Sequence, residues 1–217
     1  MSIALSIGNN LTTGGVFTAN AVNNTSVTNV TDFASVPGGG VLKLLSTQTA
    51  SDSTSVSFTS GLDSTYDSYV FKFINIHPRA ASDYLTFQVD TGTNTNYNQT
   101  MTSTTFYAYH LEDGTASALQ YVTGTDQAQG TDFQKFHSGS LANDADTNLC
   151  GTLQFYNPSS TTYVKHFQSR VNATFGGPFS VDNYVAGYIN TTTAITRIQF
   201  KMINGNFDGI IKMYGVV

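Results

Sequence analysis

The stretch Ala194-Ile195-Thr196-Arg197-Ile198-Gln199-Phe200-Lys201-Met202-Ile203, AITRIQFKMI, alternates almost without interruption near the end of the chain. In an extended backbone, successive side chains point to opposite faces, so Ile198, Phe200 and Met202 share one side and Arg197, Gln199 and Lys201 the other. One face is buried and one is wet, which is the pattern of an antiparallel sheet.

The same pattern recurs upstream in short pieces separated by turn residues. Val56 and Phe58 alternate with Ser and Thr, Tyr69 to Ile76 is nearly continuous until His77-Pro78, and Leu85, Phe87 and Val89 form another alternating set. Phe106 to Leu111, Leu119 to Val122, Leu149 to Tyr156, Tyr163 to Gln168, Tyr184 to Ile189 and Ile210 to Tyr214 follow at ordinary strand length. About nine or ten strands are expected, enough for two packed sheets, with one short helix in the less regular piece TDQAQGTDFQKF. The final stretch FKMINGNFDGIIKMYG contains Asn204-Gly205 and Asp208-Gly209, which adopt positive φ easily, and reads as two antiparallel strands closing the domain.

Composition agrees. Charged residues make up 11% of the 217 and Glu112 is the only glutamate, so the Glu and Lys of exposed helices are scarce while Thr, Ser, Asn and Gly abound. A net charge of −5 and nine scattered basic residues argue against a nucleic-acid surface. No stretch approaches the ~20 apolar residues of a membrane-spanning helix, and MSIALSIG lacks the basic start and apolar run of a signal peptide. The single Cys150 precludes an internal disulfide and, as a residue type often buried, is expected in the core.

Residues 1–40 differ in kind. They are rich in Asn, Thr, Val and Gly, with apolar residues dotted singly, too few to offset the entropy of ordering. The segment reads as an extended N-terminal arm whose Val27, Val30, Phe33 and Val36 act as pegs on a partner, either as contacts or as an added strand. Pro37, Gly38, Gly39 and Gly40 then form a hinge before a domain over 41–217. The glycine run is not a phosphate-binding loop, because Gly40 is followed by Val41-Leu42 rather than by lysine and a hydroxyl residue opening a helix.

Motifs for chemistry are absent. His77, His110, His137 and His166 show no metal-binding spacing, and Ser138-Gly139-Ser140 does not fit a nucleophile elbow. Asp63, Asp67 and Asp83 offer no unique carboxylate pair. Asp144-Ala145-Asp146-Thr147-Asn148 begins like a calcium loop but lacks its later glycine and glutamate, and Asp90, Asn94 and Asn96 read as turn residues before they read as oxygen ligands. No catalytic residue, cofactor or metal is expected. Twelve tyrosines and fifteen phenylalanines leave room for apolar surface outside the core, as at subunit contacts, and Tyr beside Asn and Gln suits sugar stacking, for instance in the loop Asn94 to Asn98.

Three stretches, LLSTQTASDSTSVSFTSGLDSTYDSYVFKFINIHP, NPSSTTYVKHF and ITRIQFKMINGNFDGIIKMYG, resemble a group of short β-rich virion proteins of tailed bacteriophages, tail-fibre-like or structural. The resemblance spans about Val41 to Val217 and includes the style of the arm. It implies a jelly-roll-like antiparallel β-sandwich, self-assembly as a homotrimer, and attachment through the arm to the major capsid protein or a tail protein, in a virion assembled in the host cytoplasm. The chain is short for a full fibre and has no heptads for a shaft, which favours capsid decoration. The alternative is a receptor- or carbohydrate-binding module contacting a host surface glycan; neither reading involves nucleic acid or a membrane.

Overall fold

Turn clusters punctuate the chain every few residues, and in the computed structural model, which describes residues 41–217, strands fill the intervals. They are β1 (Leu42–Ser53), β2 (Val56–Phe58), β3 (Ser68–Pro78), β4 (Leu85–Thr91), β5 (Met101–Leu111), β6 (Ser117–Tyr121) and β7 (Ala128–Gly130). The remainder are β8 (Gln134–Lys135), β9 (Leu149–Tyr156), β10 (Lys165–Ala173), β11 (Phe179–Ile189), β12 (Ile195–Met202) and β13 (Phe207–Val216). The arm residues Val27, Val30, Phe33 and Val36 and the joint Pro37 to Gly40 lie outside the described residues.

The fold is all-β: every strand pairing is antiparallel, in two sheets that form a sandwich. The larger runs β1-β13-β3-β9-β10-β11-β5-β6, with β7 also beside β5, and the smaller runs β2-β12-β4-β8. Within these orders β1 pairs with β13, β2 with β12, β3 with β9 and β4 with β8, so the pairings nest like a long hairpin folded over itself. That nesting is the strand order of an eight-stranded jelly roll. Two insertions, β5 to β7 between β4 and β8 and β10 to β11 between β9 and β12, continue the larger sheet past β9.

Alternation supplies the core. In β10 the burial pattern is strictly two-residue, and in β12 Ile195, Ile198, Phe200 and Met202 are buried while Arg197, Gln199 and Lys201 are half-buried. Phe200 sits edge-on or tilted at 5.4 Å from Phe71 and 5.4 Å from Phe73 of the opposite sheet, and Phe58 of β2 meets Phe71 at 5.4 Å. Phe87 of β4 reaches Phe167 of β10 at 5.1 Å. Burying each such ring contributes about 1.5–3 kcal/mol, with the tilted geometries adding to it.

The structure departs from the sequence expectations at four places. The segment expected to hold a short helix instead forms β7 and β8, with Gln134 buried and its amide donating to the Thr125 and Lys135 carbonyls at 2.8 Å. β12 and β13 do not form a hairpin: β12 pairs with β2 and β4, β13 with β1 and β3, so the link Ile203 to Asn206 crosses from one sheet to the other. Asp208-Gly209 is not a turn but a bulge inside β13, where Gly209 has φ of 135° and faces a register shift against β3. Cys150 is exposed on the outer side of β9, because Leu149, Leu153 and Phe155 take the core positions.

Candidate interaction surfaces

The two sheets treat their outer faces differently. On the smaller sheet, β4 is buried on both sides from Leu85 to Asp90, since the Gln88 amide donates to the carbonyls of Gln99, Thr131 and Asp132 in the loops laid over it. Among the described residues, no loop is laid over the outer face of the larger sheet in this way, and its outward side chains on β9 and β10 are half-buried or exposed. Across it the registers align one row of side chains from Lys212 through Lys72, Thr152, Arg170, Tyr184 and Phe106 to Tyr121. Phe106 and Tyr184 stack at 4.8 Å and 6°, and the Arg170 guanidinium lies 5.2 Å from the Tyr184 ring centre. Asp182 holds the group together, accepting from Arg170 Nε at 3.0 Å and Nη2 at 2.7 Å and from the Tyr184 hydroxyl at 2.9 Å. That hydrogen bond to Asp182 raises the Tyr184 phenol above its ordinary pKa, keeping it a donor. Leu44, Leu119 and Tyr121 are exposed at the two ends of the sheet.

A second feature lies on the inner face, where β11, β5 and β6 extend past the jelly roll. At one end of β5 this face is closed by the chain between β6 and β9: Ser103 Oγ donates to Gln134 Oε1 at 2.6 Å, and the Gln127 N–H donates to Ser103 Oγ at 2.9 Å. At the other end it opens into a groove of about 450 Å³ between Tyr107, Tyr109 and Gln120 on one side and Ser138, Phe175 and Phe179 on the other. Tyr109 is 6.0 Å from Tyr107 and 6.4 Å, edge-on, from Phe179. Asn183, buried and paired in register with Tyr107, accepts from Ser138 N at 3.0 Å and Ser138 Oγ at 3.1 Å.

His137 stands behind this groove. It is fully buried and stacked on Tyr84 at 5.3 Å; its Nε2 accepts from the Leu85 N–H at 3.0 Å, and its Nδ1 lies 2.5 Å from the Gly139 carbonyl, to which it donates. Burial lowers its pKa to about 4, so the neutral ring is held in place. Both nitrogens are occupied, and the Ser138 hydroxyl is tied to Asn183, so these residues do not make a nucleophile and base.

Other candidate residues are engaged by the fold. His77 Nδ1 bonds the Thr147 carbonyl at 2.7 Å, whereas His110 and His166 are exposed on two different strands, β5 and β10. Among the described residues no three His, Cys, Asp or Glu side chains are grouped to hold a metal ion. Asp63 accepts from the Thr65 N–H and from the Tyr69 hydroxyl, and the Thr65 hydrogen bonds lower its pKa. Asp67 lies at the turn before β3, its carbonyl accepting from Asn157 N at 2.7 Å, while Asp83 is buried. Asp144 and Asp146 sit in an exposed turn closed by Thr147 N donating to the Asp144 carbonyl. Asp90 is buried and accepts from Thr91 N at 2.8 Å, Tyr97 N at 2.9 Å and Gln99 Nε2 at 3.3 Å. This draws the Tyr97 ring of the Asn94 to Asn98 loop inside, leaving Asn94 and Asn96 outside it.

Sequence reasoning saw the aromatic density of FYAYH but not the groove. Its two walls are some 30 to 70 residues apart in the chain, and only the shared parity of Tyr107, Tyr109 and Leu111 hinted at a common face. No family model matches the chain, and neither a curated protein nor a solved structure matches it.

Proposed function

We propose that the protein is a structural component of a bacteriophage virion that acts by binding alone, most simply as a capsid decoration protein. Residues 1–40 anchor it to the shell, and the sandwich associates with further copies as a trimer. The observation that carries the self-association half is the open outer face of the larger sheet, where rings are already stacked and clamped by Asp182, so docking orders few side chains. Its two edge strands, β1 and β6, carry the exposed Leu44, Leu119 and Tyr121. The virion half rests on the resemblance of residues 44–78, 157–167 and 195–215 to phage structural proteins.

The test compares the full chain with a variant lacking residues 1–40. The truncated protein should remain a folded oligomer of the same mass by light scattering and should no longer bind particles that lack the protein. Full decoration by the truncated chain would sink the anchoring role, and a monomeric full-length chain would sink the trimer.

A further inference from the structure

The groove on the inner face of β5 and β11 has no part in that assembly reading, and its lining is specific. Its volume of about 450 Å³ falls within the ~300–1,000 Å³ of small-ligand sites. Tyr107, Tyr109, Phe175 and Phe179 give it ring faces, and among the described residues not one Lys, Arg, Asp or Glu side chain lines it. A charged ligand would lose hydration there without gaining a counter-charge, so the lining selects a neutral one.

The polar groups left over at this site are donors and hydroxyls. Gln120 accepts from the Tyr107 hydroxyl at 2.6 Å through Oε1, so its amide NH2 points elsewhere and bonds to none of the described residues. The Tyr109 hydroxyl is likewise without a partner among them. Behind this wall, Asn183 Nδ2 is buried and has no partner among the described residues, because its Oδ1 is the atom fixed by the Ser138 N–H; the buried Thr105 hydroxyl and Gln127 Oε1 are likewise unpartnered among them. Asn183 thus stands directly behind the groove wall, tied to the lining residue Ser138 and paired in register with Tyr107.

We infer that this groove binds a neutral glycan, its sugar rings lying on Tyr107 and Tyr109 and its hydroxyls meeting the amide of Gln120. Sugars present the pairing this lining asks for: a face of weakly positive C–H groups for the negative face of an aromatic ring, and a rim of hydroxyls that accept and donate. The site lies on the opposite face of the sheet from the Phe106–Tyr184–Arg170 stack, so the glycan reading and the assembly reading fail separately.

The full-length chain is screened on an array of neutral, sialylated and sulfated glycans, and the strongest neutral oligosaccharide is titrated by calorimetry. Saturable binding of a neutral oligosaccharide is expected, weakened about tenfold or more by Tyr109→Ala and severalfold by Gln120→Ala, and unchanged by Tyr188→Phe on the outer face. Gln120 is exposed, so its variant tests the site even if Tyr109→Ala impairs folding. The inference is overturned if no neutral glycan binds, if binding is confined to sialylated or sulfated glycans, or if Gln120→Ala and a folded Tyr109→Ala bind as the wild type does. A groove filled by residues 1–40 or by a second copy would give the first of these results.

Discussion

The Asp83 carboxylate accepts a 2.8 Å hydrogen bond from the backbone N–H of Ile203, 120 residues further along the chain. The same carboxylate takes the N–H groups of Asn204 at 3.1 Å and of Tyr84 at 2.8 Å, and Asp83 is completely buried. Through it the start of β4 holds the link by which the chain leaves β12 and crosses to the other sheet. Asp83→Ala removes the acceptor and leaves buried donors unpaired, and should cost about 3 kcal/mol in denaturant unfolding. A loss below 1 kcal/mol would mean that the crossing is held by other contacts.

His137 makes stability depend on pH. Its folded pKa of about 4 lies below the ~6.5 of an unfolded histidine, so between these values the unfolded chain binds the extra proton. Its contribution is therefore complete above about pH 6.5 and is lost as pH falls toward 4, by up to about 3 kcal/mol. Unfolding curves from pH 7 to 4 should show this slope, and His137→Asn, less stable at pH 7, should lack the histidine part of it.

Phe200 joins the sheets through rings on β2, β3 and the segment before β9, lying 6.2 Å from Phe58 and 6.3 Å from Phe136 besides its contacts with Phe71 and Phe73. Phe200→Ala should cost about 3–5 kcal/mol, whereas Phe106→Ala on the outer face should cost far less and should instead weaken self-association. Equal losses of stability would contradict the assignment of faces.

Gly187 permits close approach of β11 to β5 above the Phe167 ring. A methyl group there meets the Thr102 carbonyl and the ring edge, so Gly187→Ala should destabilise by about 2 kcal/mol or more. Thermal unfolding of the variant provides the check.

Cys150 should react with a maleimide in the native protein, because its thiol is on the exposed side of β9 beside Asn75. A thiol silent until denaturation would place it under another subunit or inside.

Strand content and strand faces were legible in the sequence because both depend on neighbours two residues apart. The alternation of Ile198, Phe200 and Met202 against Arg197, Gln199 and Lys201 states a local energetic preference, and the burial pattern of β12 follows it. The supposed closing hairpin shows where that reasoning stops. Asn204-Gly205 can turn the chain equally well within a sheet or between two, and the buried Asp83 carboxylate helps set the crossing. Cys150 failed for a related reason, since parity along β9 assigns faces only once Leu153 and Phe155 are known to point inward. The groove was illegible because Tyr107, Ser138 and Phe179 come from three separate elements.

By itself, the sequence determined that the chain would form antiparallel strands with one apolar side each, since its alternating β-branched and aromatic side chains suit pleated, half-buried surfaces and its Asn, Asp, Ser and Gly clusters suit the turns between them. Only the tertiary structure decided which strands pair, that β5 to β7 and β10 to β11 lengthen one sheet beyond the other, and hence that an aromatic inner face lies open past the end of the sandwich. Pairing depends on contacts between residues far apart in the chain, and these become favourable only when both sheets close over the same core.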